Sequence, residues 1–260
     1  MPNNQNWKQT KEIHWKDELN DDFDQVGLKR PEVPHNYRYL RKLHVLSWMA
    51  YYFLAKPILG IYCFFHGIRV KNKKNLKPLK KTGYFLYSNH VAIADVFKFS
   101  SYAINSKRVN IIGYSDALSL KAIRPLIRAL GYLPIPDDID NLKKLKVAIE
   151  TLVNKKEVIL IYPEAHIWPY YTKIRNFKDV SFSYPAEMKK PIVPAVTIFR
   201  GKPNKKPKQT IVFGKPIYPN EELTPLENKK YLREQCYLQM KEISEKYPQV
   251  EYIKYIKVED

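Results

Sequence analysis

Between residues 84 and 213 the sequence alternates short β-branched or aromatic runs with longer amphipathic stretches, and this rhythm constrains the fold more than any other feature of the chain. Strands separated by helices cannot pair through tight hairpins, so they pair in parallel and need cover on both faces of the sheet. Residues 84–88, 109–112, 132–135, 158–162, 192–199 and 209–213 read as strands, with the lysine-rich KPNKK turn before the last. Residues 95–103 read as a helix, and residues 118–130 as another that ends at Gly131. After Asp140, Leu142, Leu145, Ile149, Leu152 and Val153 share one helical face. Thr224 can cap a final long helix that runs to about Tyr247, leaving a short mixed tail. The expected fold is therefore α/β: a mostly parallel central sheet flanked by helices, preceded by an N-terminal apolar helix pair.

A length of 260 residues favours one domain with attachments. Residues 1–36 form a polar arm in which acidic residues outnumber basic ones, interrupted by Pro31 and Pro34, and a loose attachment is expected. Residues 37–66 hold the apolar runs VLSWMAYYFLA and ILGIYCFF, divided by Lys56-Pro57. Neither half reaches the ~18 uninterrupted apolar residues of a spanning helix, and a mid-bilayer lysine costs about 2.5–3.5 kcal/mol. The expectation is a bent pair of short helices lying in the membrane interface. Arg38, Arg41 and Lys42 stand before it and Arg69, Lys71, Lys73 and Lys74 after it, where anionic head groups would meet them. The competing reading is an ordinary buried helix pair that caps the core. Residues 67–260 make up the α/β domain. Cys63 and Cys236 form no Cys-x-x-Cys motif, so neither a disulfide framework nor a zinc site is expected and a reducing, cytosol-facing setting fits. The N-terminus lacks the pattern of a secretory signal, so the chain reads as unprocessed.

Forty-five Lys and Arg against 26 Asp and Glu give a net charge of +19, which implies an anionic partner: phospholipid, nucleic acid, an acidic carrier or a phosphorylated substrate. The sequence contains no zinc-finger spacing, RNP-like aromatic motif or basic heptad, so nucleic acid is the weaker choice.

In an α/β sheet, chemistry gathers beyond the carboxyl ends of the strands. Asn89-His90-Val91-Ala92-Ile93-Ala94-Asp95 follows one strand and Pro163-Glu164-Ala165-His166 follows another. About 0.6 His-to-carboxylate spacings of this kind arise by chance in such a composition, so the spacing alone proves little. Placed on a strand-to-helix turn, however, Asp95 would cap the helix and hold one ring nitrogen of His90, leaving the other free as a base. The plainer reading is a capped helix beside a bystander histidine.

The ordered blocks resemble those of the lysophosphatidic acid acyltransferase-like (glycerolipid acyltransferase) family, with its Asn-His-x4-Asp motif. Gly67-Ile68-Arg69-Val70 resembles the lead-in, Ser88-Asn89-His90 to Asp95 the first block, and Gly131-Tyr132-Leu133-Pro134-Ile135 the second. Tyr162-Pro163-Glu164 resembles the start of the third, and Phe177-Lys178 and Pro191-Ile192-Val193-Pro194 the remainder. The resemblance implies acyl transfer from acyl-CoA, acyl carrier protein or acyl-phosphate to the hydroxyl of a lysophospholipid such as 1-acyl-glycerol-3-phosphate, with no bound cofactor or metal. It implies His90 as base, Asp95 as its orienting partner, Glu164 as an acceptor-binding or site-ordering residue, and backbone N–H groups near Gly131 as an oxyanion hole. It further implies a peripheral or monotopic enzyme on the cytoplasmic face of the membrane, in contact with phospholipid and with acyl carrier protein as a possible partner.

Two departures bear on the acceptor. Where the family continues Glu-Gly-Thr-Arg this chain has Glu164-Ala165-His166-Ile167, and Pro136-Asp137 stands where the second block ends in a basic residue. Lys173, Arg175 and Lys178 are then the candidates to supply the missing phosphate contacts, with Arg175 best suited to bidentate binding, and His166 is a structural or substrate-contact candidate. A basic nucleic-acid-binding protein and a catalytically idle lipid-binding relative are the alternatives.

Overall fold

A computed structural model describes residues 11–23, 31–40, 49–92, 95–119, 124–202, 205 and 207–258. Among these, the strands in chain order are β1 (Lys11–Trp15), β2 (Arg69–Lys71), β3 (Tyr84–Ser88), β4 (Val109–Gly113), β5 (Tyr132–Pro134), β6 (Val158–Ile161), β7 (Ile192–Arg200), β8 (Lys208–Phe213) and β9 (Ile253–Lys257). The α-helices are α1 (Lys56–Phe65), α2 (Asp95–Lys98), α3 (Arg124–Ala129), α4 (Ile139–Asn154), α5 (Ser183–Glu187) and α6 (Pro225–Lys246). Seven strands form one sheet in the order β2-β8-β7-β3-β6-β4-β5, parallel throughout except between β7 and β8. The connection from β7 to β8 is too short for a crossover, so that pair is antiparallel. The expected sheet is thus present.

Strand alternation divides the core into two layers. Tyr84 and Leu86 of β3 face Cys63, Phe99 and Phe213, whereas Phe85 and Tyr87 face Leu145, Ile149, Cys236 and Met240 of α4 and α6. Cover on both sides is why the central strands are continuous apolar runs rather than alternating ones. Helix α6 begins where the sequence indicates: Thr224 Oγ1 accepts from Glu227 N at 3.3 Å and Glu227 Oε2 accepts from Thr224 N at 2.9 Å, a reciprocal capping box. Of the helix expected over 118–130, residues 120–123 lie outside the described part; the rest forms a 3₁₀ turn (Ser115–Ser119) and α3.

The apolar segment departs from the expected pair. Residues 45–48 lie outside the described part, and from Met49 onward a π-helical stretch (Ala50–Ala55) runs directly into α1 with helical backbone across Ala55 and Lys56. Pro57 sits at the first turn of α1, where its missing N–H costs least, and the widened turns before it absorb its ring. Lys56-Pro57 is therefore a change of helical pitch, not a break. Lys56 Nζ turns inward and donates to Ile104 O (3.2 Å) and Asn105 O (3.1 Å), capping the end of the π-helical stretch Phe99–Ala103 that continues α2. Tyr51, Ala55 and Cys63 pack inward, and a Cβ on Gly60 would stand 3.1 Å from Ser101 O, so glycine permits this close approach. The opposite face leaves Phe53 70% exposed and Phe65 79% exposed, with Leu54, Ile58, Ile61 and Phe64 beside them. No helix among the described residues is long and apolar enough to cross a membrane.

The N-terminal arm departs as well. Lys11–Trp15, expected in a loose attachment, pairs in parallel with β9, a strand in the tail that reads from sequence as short and mixed. Aromatic packing fixes the pair: Tyr255 stacks on Trp168 with centroids 5.0 Å apart, and Trp15 and Phe23 lie against the same indole at 5.3 and 5.2 Å.

Candidate active site

The sheet order places β3 between β6 and β7, so the loop after β3 emerges between the carboxyl ends of both neighbours. Asn89, fully buried, continues the β3–β7 ladder with its side chain: Nδ2 donates to Thr197 O at 3.1 Å and Oδ1 accepts from Thr197 N at 2.8 Å. A side-chain amide holds a donor and an acceptor in one plane and so matches the N–H and C=O of one strand residue. On the other flank Glu164, after β6, accepts the backbone N–H of His90 at 3.2 Å, while His90 O and Val91 O accept from Trp168 N and Tyr170 N. The backbone of His90 is held from both sides.

The His90 Nδ1 lies 3.1 Å from Asp95 Oδ2, and that oxygen also accepts from Val91 N (2.8 Å) and Ala92 N (2.9 Å). The carboxylate thus turns back to tie the loop before α2 rather than forward to cap the helix, as its sequence position implies. An ionised carboxylate can only accept, so Nδ1 carries the proton and Nε2 presents a lone pair. The imidazole is 19% exposed while Asp95 is fully buried. Burial pushes the Asp95 carboxyl up, but Lys98 and His90 together outweigh it and leave its pKa below the usual carboxylate range.

Two groups here are absent from the candidates read out of the sequence. The Tyr162 ring stacks on the His90 imidazole, centroids 4.4 Å apart, and its hydroxyl donates to Asp95 O at 2.6 Å. Lys98, wholly buried, forms an ion pair with Asp95 Oδ1. Burial draws its pKa below the ordinary lysine value against the pull of Asp95.

Glu164 is a site-ordering group. Its Oε1 accepts from Arg175 N at 3.0 Å and its Oε2 from Arg175 Nη2 at 3.3 Å, in addition to the His90 amide. Burial raises its pKa above the usual value even though Arg175 and these amides oppose the shift. Arg175, the expected phosphate ligand, is instead fully buried: its guanidinium lies 4.7 Å over the Trp168 ring, bonds His166 O, and reaches Glu18 O at 3.4 Å. It holds the loop and cannot present a fork to a phosphate. Lys173 and Lys178 are exposed. His166 Nδ1 stands 3.1 Å from Asp22 Oδ2, a close contact without hydrogen-bond alignment that places the loop against the N-terminal arm. Trp168 Nε1 adds a bond to Asp21 O at 2.8 Å.

Gly131 is likewise corrected. The register pairs Ile111 with Tyr132 and with Leu160, which places Gly131 beside the start of the parallel strands, at the level of Phe85. Three strand residues, or about 10 Å, then separate that level from Ser88. The Gly131 N–H donates to Arg128 O at 3.2 Å, and its φ of +89° with Asn110 Oδ1 against the α-carbon explains the glycine. It serves a turn and not an oxyanion hole. Conversely, Ala165 occupies the family's glycine position with φ +62°, a left-handed conformation that shows why glycine is usual there. Among the described residues no cluster of three or more His, Cys, Asp or Glu side chains could hold a metal ion.

A model of the acyltransferase family matches residues 67–198, a span that contains His90, Asp95, Lys98, Tyr162, Glu164 and Arg175 but not the contacts from the N-terminal arm. No curated protein matches the sequence. Among solved structures, the 1-acyl-sn-glycerophosphate (LPA) acyltransferase PlsC from Thermotoga maritima is similar in fold, with a TM-score of 0.52 over 78% of this chain and 97% of that one at 15% identity. With just over half its length matched and the four ordered blocks in place, the chain belongs to the acyltransferase family.

Proposed function

We propose that the chain transfers a fatty acyl group from an activated donor, a thioester or acyl-phosphate, to the hydroxyl of a lysophospholipid at a membrane surface. The observation that carries this reading is the imidazole of His90, held through Nδ1 by Asp95 with Nε2 turned to the accessible side. A neutral alcohol is a poor nucleophile at pH 7. Nε2 takes the hydroxyl proton as the oxygen attacks the acyl carbonyl, and the imidazolium returns that proton to the leaving thiolate or phosphate as the tetrahedral intermediate collapses. Proton transfer of this kind contributes typically 10²–10⁴-fold. The nucleophile belongs to the substrate, so no covalent enzyme intermediate forms.

For the acceptor we favour 1-acyl-glycerol-3-phosphate, the class named for the PlsC enzyme. With Arg175 committed to Glu164, the exposed Lys173 and Lys178 are the remaining downstream cations for its phosphate. The outward apolar face of residues 49–65, next to Arg69, Lys71, Lys73 and Lys74, suits a helix lying in the interface of anionic lipid. The test is acyl transfer by the purified protein with phosphorylated and neutral lysolipids, each offered acyl-CoA, acyl carrier protein and acyl-phosphate donors. Turnover is expected with at least one donor on a phosphorylated lysolipid; none with any pair would refute the reading.

A further inference from the structure

Among the described residues, Lys98 is the one buried charge at the site to which neither the sequence reading nor the reaction assigns a part. It lies one turn after Asp95, and its ammonium bonds Asp95 Oδ1, the oxygen that His90 does not use, together with Thr197 Oγ1 on β7 at 2.5 Å and Gln209 Oε1 on β8 at 3.4 Å. Three acceptors match the three protons of an ammonium. The two carboxylate oxygens are divided, Oδ2 serving the imidazole and the loop amides and Oδ1 serving the cation.

That division has an electrostatic consequence. A lone buried carboxylate 3.1 Å from an imidazole favours the imidazolium, and a histidine already protonated cannot take the hydroxyl proton. A carboxylate matched by an ammonium still accepts the Nδ1–H and fixes the tautomer, but its field at the ring is largely cancelled. We propose that Lys98 is a positioning residue for the His90 base: it neutralises Asp95 so that the carboxylate orients the imidazole without favouring its protonated form. The proposal rests on the acyl-transfer reading only for what the base then does.

The other groups around the ring do not replace this function. Tyr162 faces the imidazole with a neutral ring, Glu164 hydrogen-bonds only the His90 backbone and its weaker charge interaction with the imidazole is offset by Arg175, Thr197 and Gln209 are uncharged, and the Cys63 thiol on α1 lies near the ammonium rather than the imidazole. Without Lys98, Asp95 becomes the uncompensated charge at the ring.

The experiment follows the ¹³Cε1 resonance of His90 with pH in the full chain, assigned against His90→Gln. In Lys98→Met the titration midpoint should rise by about 1–2 pH units, and the acidic limb of kcat/KM should move with it. Lys98→Met/Asp95→Asn, which buries no unpaired charge, should return the midpoint to near the wild-type value. If Lys98→Met does not fold by circular dichroism, Lys98→Gln keeps a hydrogen bond to Asp95, drops the charge and carries the same expectation. A midpoint unmoved or lowered in a folded variant overturns the proposal and leaves Lys98 a packing residue. Because the titration needs no substrate, wild-type protein inert with every donor and acceptor would sink the acyl-transfer reading alone.

Discussion

Arg175→Ala separates a loop-holding arginine from a phosphate ligand. The substitution removes the guanidinium from Glu164, His166 O, Glu18 O and the Trp168 face at once, and leaves the Glu164 carboxylate buried with backbone amides as its only partners. Breaking a fully buried ion pair by removing one partner costs about 3–5 kcal/mol. At about 2–4 °C per kcal/mol for a domain of this size, the melting temperature should fall by roughly 6–20 °C. Glu164 also holds the His90 amide, so turnover below the melting transition should drop by a similar factor for phosphorylated and neutral lysolipids. Calorimetry and an acyl-transfer assay on both acceptors read the two effects, and Glu164→Gln/Arg175→Met, which leaves no lone charge, should melt above the single variant. A direct phosphate contact behaves differently: it is worth about 1.5–3 kcal/mol, so its loss lowers kcat/KM about 10–150-fold for the phosphorylated acceptor alone. That selective loss with an unchanged melting temperature would refute the structural assignment of Arg175.

Ala165→Gly relieves a left-handed alanine and should raise stability by about 1 kcal/mol, seen as a melting temperature higher by about 2–4 °C; a decrease would show that the strain is absent. The Asp95 carboxyl has a depressed pKa in the folded protein, so its contribution is present above its unfolded value of about 4 and is lost as pH falls through the folded one. The stability gap between wild type and Asp95→Asn should therefore shrink in acid denaturation series below about pH 4; a gap that widens there would reverse the sign. Replacing the outward Phe53, Ile58 and Phe65 by serine should weaken sedimentation with anionic vesicles by about 10³-fold, since each side chain is worth about 1.5–3 kcal/mol when buried and the three together about 4.5 kcal/mol at the low end, and leave the fold intact. Unchanged sedimentation would assign that face to something other than lipid.

The central strands were legible because runs such as Tyr84–Ser88 and Val158–Ile161 are covered on both sides and show it in an unbroken apolar pattern. Thr224 was legible as the start of α6 for a local reason: the capping box it forms lies within four residues. What escaped depends on partners distant in sequence. β1 and β9 carry a mixed pattern, and only their pairing and the Trp168 stack make strands of them. Lys98 drew no reading from sequence, because its acceptors on β7 and β8 are about a hundred residues away. Arg175 reads from sequence as a substitute phosphate ligand because it follows the Glu164 block where the family's arginine is missing, whereas the Glu164 carboxylate gives it an inward partner. Gly131 was placed near His90 by motif order, but strand register decides which end of the sheet a residue occupies.

The most direct test of the account is turnover by His90→Ala on whichever donor and lysolipid the wild-type protein accepts. In the proposed mechanism the ring acts on the substrate proton; it is partly exposed and lies mainly against Tyr162, so the variant should fold with a melting temperature close to that of wild type. Its kcat should fall by about 10²–10⁴-fold at saturating acceptor. Near-native kcat in a folded His90→Ala protein would contradict the assignment of His90 as the base.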